Sequence, residues 1–241
     1  MANLIRSAKS GSDWSSNELL AYNIEIKDSD EREFFGNDML PYEAVDETSS
    51  EYKKLMMLLN LVSRGQESAV DDFSRKLLEI LQFEREGSVI SSRFNIPLTI
   101  SGDRTKCAQT DVCLVKEDNI VLLLLQEDKK LGNDDPEPQV IAEAIAAFQY
   151  NNYRRERYIR KRKLEEMIFP CITMVGTFPI FYLVPVTRTL SDSVITGQYP
   201  PIKTTVLRYI PGMKFEDNKE EILRYYQNFK ILAEKYYSSF S

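Results

Sequence analysis

The feature that most constrains the fold is a run of five apolar residues that ends abruptly in charge. Residues 121–125 read Val-Leu-Leu-Leu-Leu, and Gln126-Glu127-Asp128-Lys129-Lys130 follow them directly. An apolar run of this length without alternation is typical of a strand buried on both faces. We therefore expect an α/β domain in which this strand lies at the centre of a mixed sheet and helices cover the sheet.

The order of the hydrophobic patterns predicts helix, three strands, helix, strands and helix. Apolar stripes with a helical period extend from 51 to 83, with a break at Gly65, and they return after residue 222. A long helix is expected after 132–138, with Val140, Ala144, Ala147 and Phe148 on its inner face. Strands are predicted at 21–27, 89–100, 108–115, 119–127, 171–175, 180–184 and 204–210.

No repeat or linker divides the 241 residues, so a single domain is expected. Within it, residues 51–190 would form the core, 1–50 an N-terminal extension, and 191–241 a C-terminal strand and helix. Residues 34–41 read as a compact turn region.

Residues 167–187 carry no charge, a length that could cross a bilayer. However, Pro170, Pro179 and Pro185 divide the segment, and its pieces are β-branched and aromatic. Two buried strands are therefore expected here, and no membrane partner.

Histidine is absent from the chain. This excludes Ser-His-Asp and Cys-His nucleophilic sites and His-ligated zinc or haem. No phosphate-binding glycine-rich loop occurs, which disfavours an NTP-driven enzyme. Three cysteines without a C-x-x-C spacing fit a reducing intracellular compartment, cytoplasmic or nuclear. Catalysis would have to use carboxylates, lysine, tyrosine, thiols or a metal held by oxygen.

Charged residues at the end of the central strand form the main candidate site. Glu127 and Lys129 lie two positions apart on one strand, and the short turn at 116–119 would bring Asp111 back beside Glu127. Two carboxylates of this kind are typical ligands of Mg²⁺. The alternative is a surface hairpin whose end is charged.

One part of the sequence resembles the PD-(D/E)XK signature of restriction-endonuclease-like nucleases. It consists of Thr110-Asp111, a hairpin and then Glu127-Asp128-Lys129, with Thr110 in place of the proline. Residues 126–129 and 142–149 also resemble uncharacterised fungal members of that superfamily. The resemblance covers roughly residues 60 to 190. It implies a restriction-endonuclease-like core with a mixed central β-sheet flanked by helices.

The resemblance also implies roles for individual residues. Asp111 and Glu127 would bind Mg²⁺ or Mn²⁺ with the main-chain carbonyl of Asp128, and Lys129 would position the attacking water. Glu67 would supply an additional acid; its alternative role is a charge that complements a helix N-terminus. Gln139 and Glu143 stand where some members have a Gln-x-x-x-Tyr pair, with glutamate replacing the tyrosine.

A second feature is a basic run. The net charge of the chain is −6, yet residues 154–163 carry +6 and the remainder −12. Interleaved tyrosines at 150, 153 and 158 would allow stacking on unpaired bases, and the cations would contact phosphates. The alternatives are a solvated helix end and a nuclear-import patch. The cations are Arg154, Arg155, Arg157, Arg160, Lys161, Arg162 and Lys163.

These features together predict a metal-dependent nuclease that hydrolyses nucleic-acid phosphodiester bonds. The alternative is a catalytically inactive scaffold of the same fold that binds nucleic acid or protein. The sequence leaves DNA or RNA, cleavage mode and oligomeric state open.

Overall fold

The computed structural model describes residues 6–66, 68–128 and 136–237, without the side chains of Glu127 and Asp128. Its centre is a seven-stranded mixed sheet flanked by helices, which confirms the predicted fold class. The strands are β1 (Ile24–Asp28), β2 (Ser88–Ile100), β3 (Asp103–Lys116), β4 (Ile120–Asp128), β5 (Glu166–Val175), β6 (Phe178–Thr187) and β7 (Thr204–Tyr209). The α-helices are α1 (Ser16–Ala21), α2 (Glu31–Phe35), α3 (Ser50–Ser63), α4 (Ser68–Ile80), α5 (Glu137–Arg154), α6 (Arg188–Thr196) and α7 (Lys219–Tyr237).

In the strand order β1-β7-β6-β5-β4-β3-β2, five strands run in one direction, and β6 and β3 run in the other. β1 pairs with β7 in parallel and β4 pairs with β5 in parallel, while β6 runs antiparallel to both β5 and β7. The C-terminal residues of β1, β7, β5 and β4 therefore lie at one border of the sheet. We call this border of the sheet the carboxyl edge. The four strands end there at Asp28, Tyr209, Val175 and Asp128.

Helices cover both faces of the sheet, as two neighbouring residues of β6 show. The Phe181 ring contacts the rings of Tyr226 and Phe229 on α7, with centroids 5.2 and 4.9 Å away. The next residue, Tyr182, donates its hydroxyl to Glu137 at the start of α5. Since successive side chains of a strand point to opposite faces, α5 and α7 lie on opposite sides of the sheet.

Helix α5 is buried on nearly all sides, so the expected single inner face was too narrow. Ile141, Ala142 and Ile145 are as completely buried as the predicted Val140 and Ala144. The N-terminal segment covers the outer side, because a Cβ built on Gly11 would lie 2.9 Å from the Cβ of Ala108 and 3.7 Å from that of Ala142. The N-terminal residues are therefore part of the α/β core.

Most of the predicted elements are present, and the differences have local causes. The turn region expected at 34–41 begins inside a helix: Phe34 and Phe35 belong to α2, whose N-terminus is capped by the Asp30 side chain, which accepts from the amide of Glu33. The strand expected at 21–27 begins only at Ile24, since α1 extends to Ala21. Helix α6 was not predicted.

The uncharged segment 167–187 forms the β5–β6 hairpin, with its turn at Gly176. This confirms the prediction of two buried strands. Among the described residues, no helix is long and apolar enough to cross a membrane.

Candidate functional site

Asp111 lies in β3 on the face covered by α5 and close to the carboxyl edge. Its side chain is 6% exposed, and its Oδ2 accepts a hydrogen bond from Nε2 of Gln126 at 2.7 Å. The β3–β4 register pairs Val112 with Leu125, which places Asp111 opposite Gln126, the residue directly before Glu127. The hairpin predicted to bring Asp111 back toward the charged end of β4 is therefore present.

A β-bulge determines this register. Leu114 pairs with Leu123, but Val115 pairs with Val121, so Leu122 is an extra residue in β4. The turn itself is a short 3₁₀ segment in which Asp118 and Asn119 have positive φ angles, 65° and 59°. Alternation alone does not reveal either irregularity, and each shifts the residue that stands opposite Asp111.

Most of the other predicted site residues lie outside the described parts of the chain. Lys129 and Glu67 are not described, and Glu127 and Asp128 are described only by their backbones. The backbone of Glu127 pairs with that of Met174 in β5. Convergence of Asp111, Glu127 and Lys129 on one metal therefore remains a prediction. Among the described residues, no group of three or more histidine, cysteine, aspartate or glutamate side chains could hold a metal ion.

Glu143 of α5 is a buried carboxyl group beside this region. Its side chain has no exposed surface, and its Oε1 accepts from Nε2 of Gln139 at 3.1 Å. Its Oε2 has no hydrogen-bond partner among the described residues. Burial raises the pKa of Glu143 well above its usual value, and the nearby charge of Asp111 raises it further, while hydrogen bonding with Gln139 and Thr110 lowers it by less.

These groups fit a hard divalent cation. Asp111 and Glu143 supply buried carboxyl oxygens, the ligand type that Mg²⁺ and Mn²⁺ prefer. Oε2 of Glu143 is buried and has no geometric hydrogen-bond partner among the described residues, so it is a further oxygen in this region that a cation could use.

The cysteines next to these carboxyl groups are not suited to nucleophilic chemistry. Cys113 and Cys171 are completely buried. Burial, with a smaller effect of the Glu143 charge, raises the pKa of Cys113 to about 12 and also raises the pKa of Cys171. Because the thiolate is the reactive form, both thiols act as core residues at neutral pH.

Sequence analysis missed a polar network at the carboxyl edge. Tyr182 donates to Oε1 of Glu137 at 2.9 Å, and Nη1 of Arg208 donates to the same oxygen at 2.5 Å. Arg208 also donates from Nε to Asp28 at 2.6 Å, which lowers the pKa of Asp28. The network ties β1, β6 and β7 to the first turn of α5. The one sign of this network in the sequence is Arg208, a charged residue inside an otherwise uncharged strand.

The basic run does not form the continuous helix that was expected. α5 ends at Arg154, a single π-helical turn covers Arg155–Ile159, and Arg160 adopts a left-handed conformation with φ 60°. Arg155 is only 8% exposed and donates from Nε to the Arg162 carbonyl. Lys163 pairs with Glu156 at 3.0 Å. Arg157, Arg160, Lys161 and Arg162 remain exposed and form no ion pair within the described part of the chain.

The basic run and Asp111 lie at opposite ends of the sheet. Arg154 donates to the Asp118 carbonyl in the β3–β4 turn, whereas Glu137, at the other end of α5, bonds Arg208 at the carboxyl edge. A helix of 18 residues is about 27 Å long at about 1.5 Å per residue. The basic run is therefore separated from the carboxyl edge by the length of α5.

A scan against models of protein families finds no family that matches this chain, and a search of curated proteins finds no match either. The PD-(D/E)XK resemblance thus stays a prediction from the sequence. Function has to be inferred from the residues at the carboxyl edge and on the basic run.

Proposed function

We propose that this chain is a metal-dependent nuclease that hydrolyses phosphodiester bonds at the carboxyl edge. The observation that carries the proposal is Asp111, a carboxylate that is 6% exposed and hydrogen-bonded to the residue directly before Glu127. The carboxyl ends of parallel strands are where open α/β sheets bind their ligands, and β4 and β5 end there in parallel.

In this proposal the oxygen ligands are Asp111, Glu127 and the carbonyl of Asp128. These residues would hold a divalent cation, which would supply Lewis-acid polarisation of a phosphoryl oxygen of the substrate. Lys129 positions the attacking water through its ammonium group, which also offsets negative charge that develops on the phosphoryl group. Glu67 and Gln139 are assigned as supporting polar groups on the resemblance alone.

The test is cleavage of labelled single-stranded DNA, double-stranded DNA and RNA with Mg²⁺ or Mn²⁺, compared with EDTA. We expect metal-dependent cleavage, and we expect Asp111→Asn and Lys129→Ala to lower kcat by about 100-fold or more. Asp192→Asn is the matched control, because Asp192 is an exposed aspartate on α6 away from the site. If the wild-type protein leaves all three substrates intact with either metal, the proposal is wrong.

The second candidate is a binding scaffold without turnover. It is favoured by the hydrogen bond between Asp111 and Gln126, which holds a carboxylate oxygen within the fold. Calorimetric titration with Mn²⁺ separates the two functions. If the protein is a nuclease, it must bind Mn²⁺, and Asp111→Asn must weaken this binding. A binding scaffold does not need to bind metal.

A further inference from the structure

The last turn of α5 and the π-helical turn that follows it present two exposed tyrosines in a fixed arrangement. The side chains of Tyr153 and Tyr158 are 53% and 55% exposed, and their rings meet edge to face with centroids 6.0 Å apart. The Arg154 guanidinium lies 4.0 Å from the Tyr158 ring centroid, and Arg154 is itself held by the carbonyl of Asp118. The cation–π contact and this hydrogen bond keep Tyr158 in place without burying it.

The cations around these rings are also held by the backbone. Lys161 donates its amide to the Arg155 carbonyl, and the buried Arg155 donates back to the Arg162 carbonyl. The Asn152 side chain pairs with both the amide and the carbonyl of Leu164. The basic loop is therefore anchored at both ends, while the side chains of Arg157, Arg160, Lys161 and Arg162 extend into solvent.

We propose that this 153–162 surface is a binding site for single-stranded nucleic acid that is separate from the carboxyl edge. Exposed aromatic rings stack on bases only where the bases are unpaired, and the neighbouring cations contact the phosphates. The partner class rests on the proposed nuclease function, but binding at this site requires neither metal nor cleavage. The site holds the strand at a distance from the point of hydrolysis.

The separation of the two sites predicts a length requirement. The 153–162 surface and the carboxyl edge lie at opposite ends of α5, which is about 27 Å long at about 1.5 Å per residue. At about 3.4 Å per nucleotide, the rise of a stacked strand, about eight nucleotides span this length. Oligonucleotides of 20 nucleotides should therefore bind more tightly than those of six.

The experiment is fluorescence anisotropy with labelled 20-nucleotide dT and U oligomers in EDTA, using full-length protein. Tyr158→Ala should weaken binding about 5- to 100-fold, and Tyr158→Phe should retain it. Tyr199→Ala is the matched control, because Tyr199 is also exposed and also lies beneath an arginine, Arg6, in another part of the chain. Arg157→Gln and Arg160→Gln should each reduce the slope of log Kd against log salt by about 0.7.

Each outcome decides between proposals. If wild type and Tyr158→Ala bind the single strand equally well, the proposed stacking site is wrong. It is also wrong if the protein binds phosphatidylserine vesicles or duplex DNA as tightly as the single strand. If Tyr158→Ala weakens binding but the wild-type protein cleaves no substrate, the single-strand binding site is supported and the nuclease function is rejected. If the wild-type protein cleaves and Tyr158→Ala changes neither kcat nor KM, the nuclease function is supported and the single-strand binding site is rejected.

Discussion

At the scale of single residues, Glu143 has an unusual position for a carboxyl group. It has no exposed surface, and it lies near Asp111, whose charge disfavours an added negative charge. Gln139 donates a hydrogen bond to it. Burial outweighs this hydrogen bond and favours the neutral acid in the folded state.

This raised pKa makes the stability of the protein depend on pH. The carboxyl of Glu143 in the unfolded chain ionises near pH 4.5, whereas in the folded protein it stays protonated at higher pH. The stabilisation is therefore complete below about pH 4.5 and is lost as pH rises toward the folded-state pKa, at about 1.4 kcal/mol per pH unit. Glu143→Gln should remove this loss and be more stable than wild type at pH 7.

Urea unfolding in EDTA between pH 4.5 and 8 measures the effect. Glu86→Gln is the control, because Glu86 is exposed and its substitution should leave the pH profile unchanged. If the free energies of unfolding of wild type and Glu143→Gln changed with pH in the same way, Glu143 would ionise normally in the folded protein.

At the scale of elements, the last turns of α5 use amide side chains in place of backbone pairing. Asn151 pairs with both the amide and the carbonyl of Val121, next to the β-bulge, and Gln149 does the same with Thr99 of β2. Val121 lies where the bulge interrupts regular pairing with β3, and its contact with Asn151 is completely buried. The side chain therefore supplies hydrogen bonds that a buried backbone group requires.

We expect Asn151→Ala to lower the free energy of unfolding by about 2–5 kcal/mol, because two buried backbone groups lose their partners. Gln149→Ala is the matched comparison. Gln149 and Thr99 are only partly buried, so water can replace the amide and the loss should be smaller. Denaturant unfolding measures both variants, and a loss for Asn151→Ala no larger than that for Gln149→Ala would contradict the explanation.

At the scale of the whole molecule, one sheet combines strands from all parts of the sequence. β1 from the N-terminal segment pairs with β7 from the C-terminal segment, and residues near Gly11 pack on β3 and α5. Arg208, on β7, binds Asp28 on β1 and Glu137 on α5, so the two terminal segments contribute to the carboxyl edge. The segment expected as an N-terminal extension thus contributes a strand to the sheet and Asp28 to the carboxyl edge.

Gly11→Val should destabilise the whole domain by about 1–3 kcal/mol, because even a Cβ at this position approaches the Ala108 side chain to 2.9 Å. The control is Ser12→Val at the next, exposed position, for which little change is expected. Thermal unfolding measures both variants. An unchanged midpoint for Gly11→Val would mean that the N-terminal segment can move away from α5 at little cost.

The strands and long helices were predictable because each one carries its own hydrophobic pattern. The runs that form β4, β5 and β6 are apolar on both faces, and the stripe of Ile222, Tyr226 and Phe229 indicates α7 directly. The placement of Asp111 near the charged end of β4 was also predictable, since a short turn joins the two strands. The burial of Arg155 and the π-helical turn were not, because nothing in this mostly basic run distinguishes Arg155 from its neighbours.

The sequence by itself determined the fold class, the central position of 121–125 and the type of chemistry that an absent histidine leaves possible. Only the tertiary structure decided the residue opposite Asp111, the partners of Glu137 and the distance between the basic run and the carboxyl edge. The physical reason is that hydrophobic periodicity is a local property of the chain. Register, bulges and contacts between distant segments depend on how the whole sheet packs against α5.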